Sequence, residues 1–255
     1  MRLGAATRAR LPVPPGGVVT THTAEAIAAS DEGAIKVLRH YYETAVNGPI
    51  AVRSSGVGED SKGTSFAGQH ETHLNVRNFE DLVASVASVW RSARSEAVLS
   101  YRSHHDIAGD PACAVVLQVL IEPDVAGVMF TIDPISGADR RVIEAAWGFG
   151  EAVVSGLVTP DHIHLDPAGN VLELRLGIKK YALRSGKAGG LETHEVLGPL
   201  LSECCLDKTH FSRLNELAAQ VEHAFGLSQD IEWAFADDVL FLLQARPVTA
   251  LATNP

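Results

Sequence analysis

The chain has 255 residues, 46% hydrophobic and 20% charged, with a formal net charge of −10. That much apolar material excludes global disorder and gives one large domain or two closely packed lobes. The acid excess argues against a nucleic-acid partner, because binding a phosphate backbone needs a basic surface. It does not argue against a small anion held by two or three local cations.

The longest apolar runs, such as residues 112–121, fall well short of the ~20 residues a membrane helix needs. The opening Met1-Arg2-Leu3-Gly4 has no apolar core of a secretion signal. A cytoplasmic protein without a membrane partner is the expectation.

Residues 11–19, LPVPPGGVV, predict a Pro/Gly turn feeding a short strand over residues 18–20. Thr21 or Thr23 is placed to cap a helix through Leu38, interrupted near Ser30-Asp31-Glu32-Gly33 and stopped by Asn47-Gly48-Pro49. Residues 49–53 read as a strand, and residues 54–68 as a long polar loop. Asn78 opens an amphipathic helix, with Leu82, Val83, Val86, Val89 and Trp90 at helical spacing.

Strands follow at residues 113–120, 127–132 and 142–146. A hairpin-like pair at 162–165 and 171–176 flanks Asp166-Pro167-Ala168-Gly169-Asn170. Residues 183–206 read as irregular. A second clear helix covers residues 207–225 and ends at Gly226. Two strands close the chain, at 231–235 and 239–243. Helices and strands mix without regular βαβ alternation, so the expected class is α+β with mostly antiparallel sheets.

Cys113 lies in an apolar run and reads as a buried structural thiol. The adjacent pair Cys204-Cys205 has neither the spacing of a zinc site nor that of a disulfide framework. The 11 histidines form no HExxH motif, and there is no GxSxG elbow.

Three places carry candidate chemistry. From Arg53 to Gly68 the chain reads RSSGVGEDSKGTSFAG, with four glycines and five Ser/Thr hydroxyls. Glycines let backbone N–H groups approach an anion, hydroxyls add donors, and Arg53 supplies a forked cation suited to phosphate. The alternative is a solvated surface loop. The pattern is neither a Walker loop nor GxGxxG.

The second place is Gln229-Asp230-Ile231-Glu232-Trp233 with Leu242-Leu243-Gln244-Ala245-Arg246-Pro247. Residues two apart on a strand share a face, so Asp230 and Glu232 point one way, as do Gln244 and Arg246. If the strands pair, the acids meet Gln244 and Arg246, and the oxygens suit Mg²⁺. A cross-strand salt bridge on a solvated face is the competing reading. The third place is Gln118, a polar amide inside an apolar strand. It needs a partner when buried, either an adenine edge or a neighbouring backbone.

Four segments occur in order: IAVRSSGVGEDSKGTSFAGQHETHLNV, VVLQVLIEPDVAGVMFTIDPISG, IEAAWGFGEAVVSGLVTPD and DIEWAFADDVLFLLQARPVT. On these the chain resembles the nucleotide-binding domain of the phosphoenolpyruvate synthase, pyruvate phosphate dikinase and rifampin phosphotransferase family, over nearly its whole length. The resemblance implies an ATP-grasp fold, with ATP enclosed by two α+β lobes, here residues 1–118 and 119–255. It implies ATP and Mg²⁺ as cofactors. Arg53 then contacts the phosphates, with Gly68 and Thr72 in the phosphate loop. Gln118 lies at the adenine end, and the hinge from Val119 to Ile121 offers backbone groups to the base. Glu232 and Gln244 lie near the metal and phosphates, and Arg246 is the second phosphate arginine.

The resemblance also implies a dikinase-type reaction. ATP is divided into AMP, inorganic phosphate and a phosphorylated histidine on a separate domain or protein. Three departures stand beside it. The chain opens where the end of the family's GGKxxNLG-like segment would lie, without that segment's lysine. The stretch from Thr21 to Pro49 is shorter than usual. No TSHA-like histidine motif occurs in the sequence. A shortened ATP-binding subunit that works with a histidine-bearing partner is therefore expected, the alternative being a nucleotide-binding module or remnant without turnover.

Overall fold

The structure is a computed structural model and describes residues 2–56, 71–96, 98–100, 112–226 and 228–248. In chain order the elements are α1 (Arg2–Arg8), β1 (Gly16–Val19), α2 (Thr21–Ala28), α3 (Glu32–Ala45), β2 (Ile50–Gly56), β3 (Thr72–Val76), α4 (Phe79–Ser92) and β4 (Cys113–Val119). They continue as β5 (Val125–Phe130), β6 (Arg141–Trp147), α5 (Glu151–Val154), β7 (Asp161–Leu165), β8 (Val171–Arg175), β9 (Tyr181–Ser185) and β10 (Leu191–Glu195). A 3-10 turn (Gly198–Leu201), α6 (Lys208–Phe225), β11 (Gln229–Ala236) and β12 (Val239–Pro247) complete them. The α+β class is as expected.

Local chemistry sets the helix ends. Thr20, rather than Thr21 or Thr23, caps α2 by accepting from the Thr23 N–H, because its extended backbone aims the hydroxyl back at the first turn. Ser30 at φ +63° breaks the α2–α3 run, and Asp31 caps α3. Asn78 caps α4, accepting from the Asp81 N–H at 2.8 Å. Asp207 and His210 form a capping box on α6, and Gly226 at φ +88° ends it.

The residues expected to be irregular, 183–206, instead hold most of the paired strands β9 and β10 and the 3-10 turn. β10 is exposed along its length and carries no apolar alternation, so periodicity has nothing to register there.

Two compact units form. One comprises Pro15–Leu120 with Ser185–Leu191, and the other Met1–Pro14, Ile121–Arg184 and Glu192–Pro255. A single cut at 118/119 therefore does not describe them. Ala6 and Leu11 are buried in the second unit's core, and the Leu242 N–H bonds the Pro12 carbonyl at 2.8 Å. The tip of the β9–β10 hairpin belongs to the first unit, because buried Asn75 donates to the Gly186 and Gly190 carbonyls at 2.8 and 2.7 Å.

The first unit is built on an antiparallel sheet of order β1-β4-β2-β3. Ile50 and Val52 of β2 and Val115 and Leu117 of β4 join the core made with Ile27, Leu38, Leu82 and Val86 of the helices. Alternation then sends Ala51, Arg53, Val116 and Gln118 to the opposite face.

The second unit is built on a six-stranded antiparallel sheet of order β12-β11-β5-β6-β7-β8. Met129, Ile143, Ile163 and Ile231 line one face and pack with Leu214, Leu217 and Val221 of α6. Each such side chain contributes roughly 1.5–3 kcal/mol by leaving water. The other face carries Glu232, Asp230 and their cross-strand neighbours.

Candidate functional site

On the first unit, β2 presents half-buried Arg53 directly opposite exposed Thr72 of β3 on one side and Val116 of β4 on the other. Opposite residues of an antiparallel pair share a face, so Arg53 and Thr72 stand together. Thr72 is the first residue of β3 rather than part of the loop. Gly68 lies outside the described residues, as does most of the Gly/Ser loop.

Gln118 sits on that same face, one diagonal step from Arg53, at roughly 7–8 Å by sheet geometry. It is 4% exposed. Gly16 lies opposite it on β1; a Cβ there would fall 2.4 Å from the Leu117 carbonyl oxygen. A side chain at Gly16 would therefore push β1 off the strand that carries Gln118.

The strand after Gln118 ends in an incomplete ladder. The Val119 N–H donates to the Pro15 carbonyl at 2.8 Å, and the Leu120 N–H to the Pro49 carbonyl at 2.9 Å. Proline has no N–H to give in return, so the Val119 and Leu120 carbonyls lose the donors an ordinary antiparallel pair would supply. The Ile121 N–H has no backbone acceptor among the described residues. The sequence reads these two prolines as turn and helix-stop residues; their effect on the ladder becomes visible only once the register is known.

On the second unit, β11 and β12 pair so that Asp230 faces Arg246 and Glu232 faces Gln244. Ile231 and Ala245, between them, point into the core. A register shift follows Glu232, ending the regular stretch there. Asp230 Oδ2 accepts a hydrogen bond from Nε of Arg246 at 2.8 Å, and Nη2 lies 2.8 Å from the same oxygen as an ion pair. Asp230 is 8% exposed. Burial raises its pKa, Arg246 opposes the rise, and the Glu232 charge adds to it. Phe130 and Val128 of β5 flank the two acids. The pairing thus holds an arginine, two carboxylates and an amide on one face.

Among the described residues, no three His, Cys, Asp or Glu side chains converge as a metal cage. Glu232 and Gln244 offer a smaller set, two oxygen ligands side by side. That suits Mg²⁺, which takes one or two protein oxygens and fills its remaining positions with water and phosphate.

The chain matches the family model described as the pyruvate phosphate dikinase AMP/ATP-binding domain over residues 32–254. It belongs to that family. Within it, the chain is 38% identical over 204 residues to a probable phosphoenolpyruvate synthase of Methanothermobacter thermautotrophicus, covering 79% of this chain and 30% of that protein. It is 41% identical over 208 residues to the prodigiosin synthesizing transferase PigC of Serratia marcescens, covering 80% and 23%. It is 34% identical over 208 residues to a rifampicin phosphotransferase of Bacillus subtilis, covering 80% and 24%. The chain spans about a quarter of the length of these curated relatives.

Among solved structures, a D-alanine–D-alanine ligase from Helicobacter pylori aligns over 95% of this chain and 51% of its own, at 9% identity and a TM-score of 0.44. The AMP/ATP-binding domain of the dikinase type is what the four sequence segments lead one to expect. No helix among the described residues is long and apolar enough to cross a membrane.

Proposed function

We propose that this dikinase-type domain binds Mg·ATP and passes one phosphoryl group to a histidine on a separate domain or protein while water takes the other, leaving AMP and inorganic phosphate. The single observation that carries the reading is the β11–β12 register, which puts Glu232 beside Gln244 and Arg246 on Asp230.

The residues divide the work by chemistry. The buried Gln118 amide, the Val119 carbonyl and the Ile121 N–H offer the donors and acceptors that an adenine edge needs. Arg53, Thr72, Gly68 and Arg246 take the phosphates, the arginines as forked cations. Glu232 and Gln244 hold Mg²⁺, which neutralises charge on the polyphosphate when bound. Asp230 fixes the orientation of Arg246, so its guanidinium need not reorganise as charge develops.

Supplying ATP together with the histidine-bearing domain of a relative tests the reaction. AMP with a phosphorylated histidine is expected. ADP as the product, or no labelled histidine, would contradict the transfer and leave a nucleotide-binding module. The final small-molecule acceptor is set by domains beyond the stretch shared with the relatives.

A further inference from the structure

β8 ends the six-stranded sheet, and among the described residues only β7 pairs with it. Such an edge offers a row of unpaired backbone groups, and proteins ordinarily blunt it with lysines, proline or a short strand. Here the edge strand exposes leucines around its two charged residues: Leu172 is 58% exposed and Leu174 41%, with Leu176 just beyond the strand at 50%.

The sequence of that edge is nearly symmetric. Leu172-Glu173-Leu174-Arg175-Leu176 reads the same from either end except that an acid and a base exchange places. Leu174 pairs with Ile163 on the core face of the sheet, and Glu173 and Arg175 lie on the opposite face beside His164 and His162. Glu173 contacts Arg175 of its own strand and His164 Nδ1, the latter at 3.2 Å.

We propose that the free edge of β8 pairs antiparallel with β8 of a second copy of this chain, with Leu174 on the twofold axis. In that register Glu173 stands opposite Arg175 of the partner subunit, and Arg175 opposite Glu173 of the partner subunit. Leu174 meets its own counterpart. The charges also exclude the neighbouring registers. Slipping the pairing by two residues one way puts Glu173 against its own counterpart, and the other way puts Arg175 against its own. Slipping by one sets charges against leucines and turns the apolar face over. The irregularity in β8 at Leu172 ends the regular edge, so the pairing centres on residues 173–175.

Sedimentation of the full chain over a range of concentrations tests this together with charge reversal. Wild type should form a dimer. Glu173→Arg alone and Arg175→Glu alone should each weaken association by about tenfold or more, since two attractive pairs become like-charge pairs. The double variant Glu173→Arg/Arg175→Glu should restore the dimer, because the register exchanges the two positions. Leu174→Cys should give a disulfide-linked dimer on oxidation, whereas Val37→Cys, exposed on α3, should not. A monomer at every concentration would overturn the proposal. So would a dimer indifferent to the single reversals, a double variant no better than the singles, or no cross-link at residue 174.

Discussion

Nε of Arg246 donates to Asp230 Oδ2 at 2.8 Å, and Nη2 lies 2.8 Å from the same oxygen. Arg246 is therefore held at its base by a buried acid. Removing the arginine should cost ATP affinity directly: Arg246→Ala is expected to weaken binding by ~10–100-fold, the scale of a charge-assisted hydrogen bond. Asp230→Asn should cost less, because the cation stays while its orientation loosens. A calorimetric comparison in which Asp230→Asn equals or exceeds the loss of Arg246→Ala would count against orientation as the role of Asp230.

Glu232 and Gln244 face each other across β11 and β12. If they hold the metal, Glu232→Gln should weaken Mg·ATP much more than metal-free ATP, since a charged oxygen ligand is lost while the contacts to the nucleotide stay. Titrations with and without Mg²⁺ separate the two. An equal loss in both would remove Glu232 from the metal.

Asp161 and Lys179 form a fully buried ion pair. Asp161 also accepts from the Gly177 and Cys205 N–H groups, both at 2.8 Å, and so ties three segments of the second unit together. Lys179→Met strands a buried carboxylate and should destabilise by about 3–5 kcal/mol. Adding Asp161→Leu should recover part of that loss in chemical denaturation. Fully additive losses would show that the two groups do not act as a pair.

Asp133 predicts a pH dependence. Burial would raise its pKa, but hydrogen bonds from Ser136, from Arg140 and from the Ile135 and Ser136 N–H groups outweigh it and hold the carboxyl far below its usual range. A depressed folded-state value favours the folded state above the unfolded carboxylate pKa of about 3.9, and this contribution fades as pH falls below it. Denaturation midpoints should therefore drop below about pH 4 in wild type, and Asp133→Asn should flatten that slope while lowering stability at neutral pH. An unchanged slope would remove Asp133 from the acid response.

Much of this was legible in the sequence because strand alternation is strict. Asp230 and Glu232 are two apart, as are Gln244 and Arg246, and pairing the strands brings them together. The cap at Asn78 is read from residue type at a helix start, whereas Asp31 reads only as part of an interruption and emerges as the α3 cap in the structure. What stayed hidden depends on register or on distant pairing. The effect of Pro15 and Pro49 on the ladder depends on Val119 and Leu120 lying opposite them. Lys179 finds Asp161 across 18 positions with no local pattern to announce it. β10 has no buried face to give its five residues a period.

The most direct test is calorimetric titration of the purified chain with ATP, in the presence and absence of Mg²⁺. Saturable binding that Mg²⁺ strengthens is the expected result. No heat of binding at millimolar ATP, with or without the metal, would contradict the account.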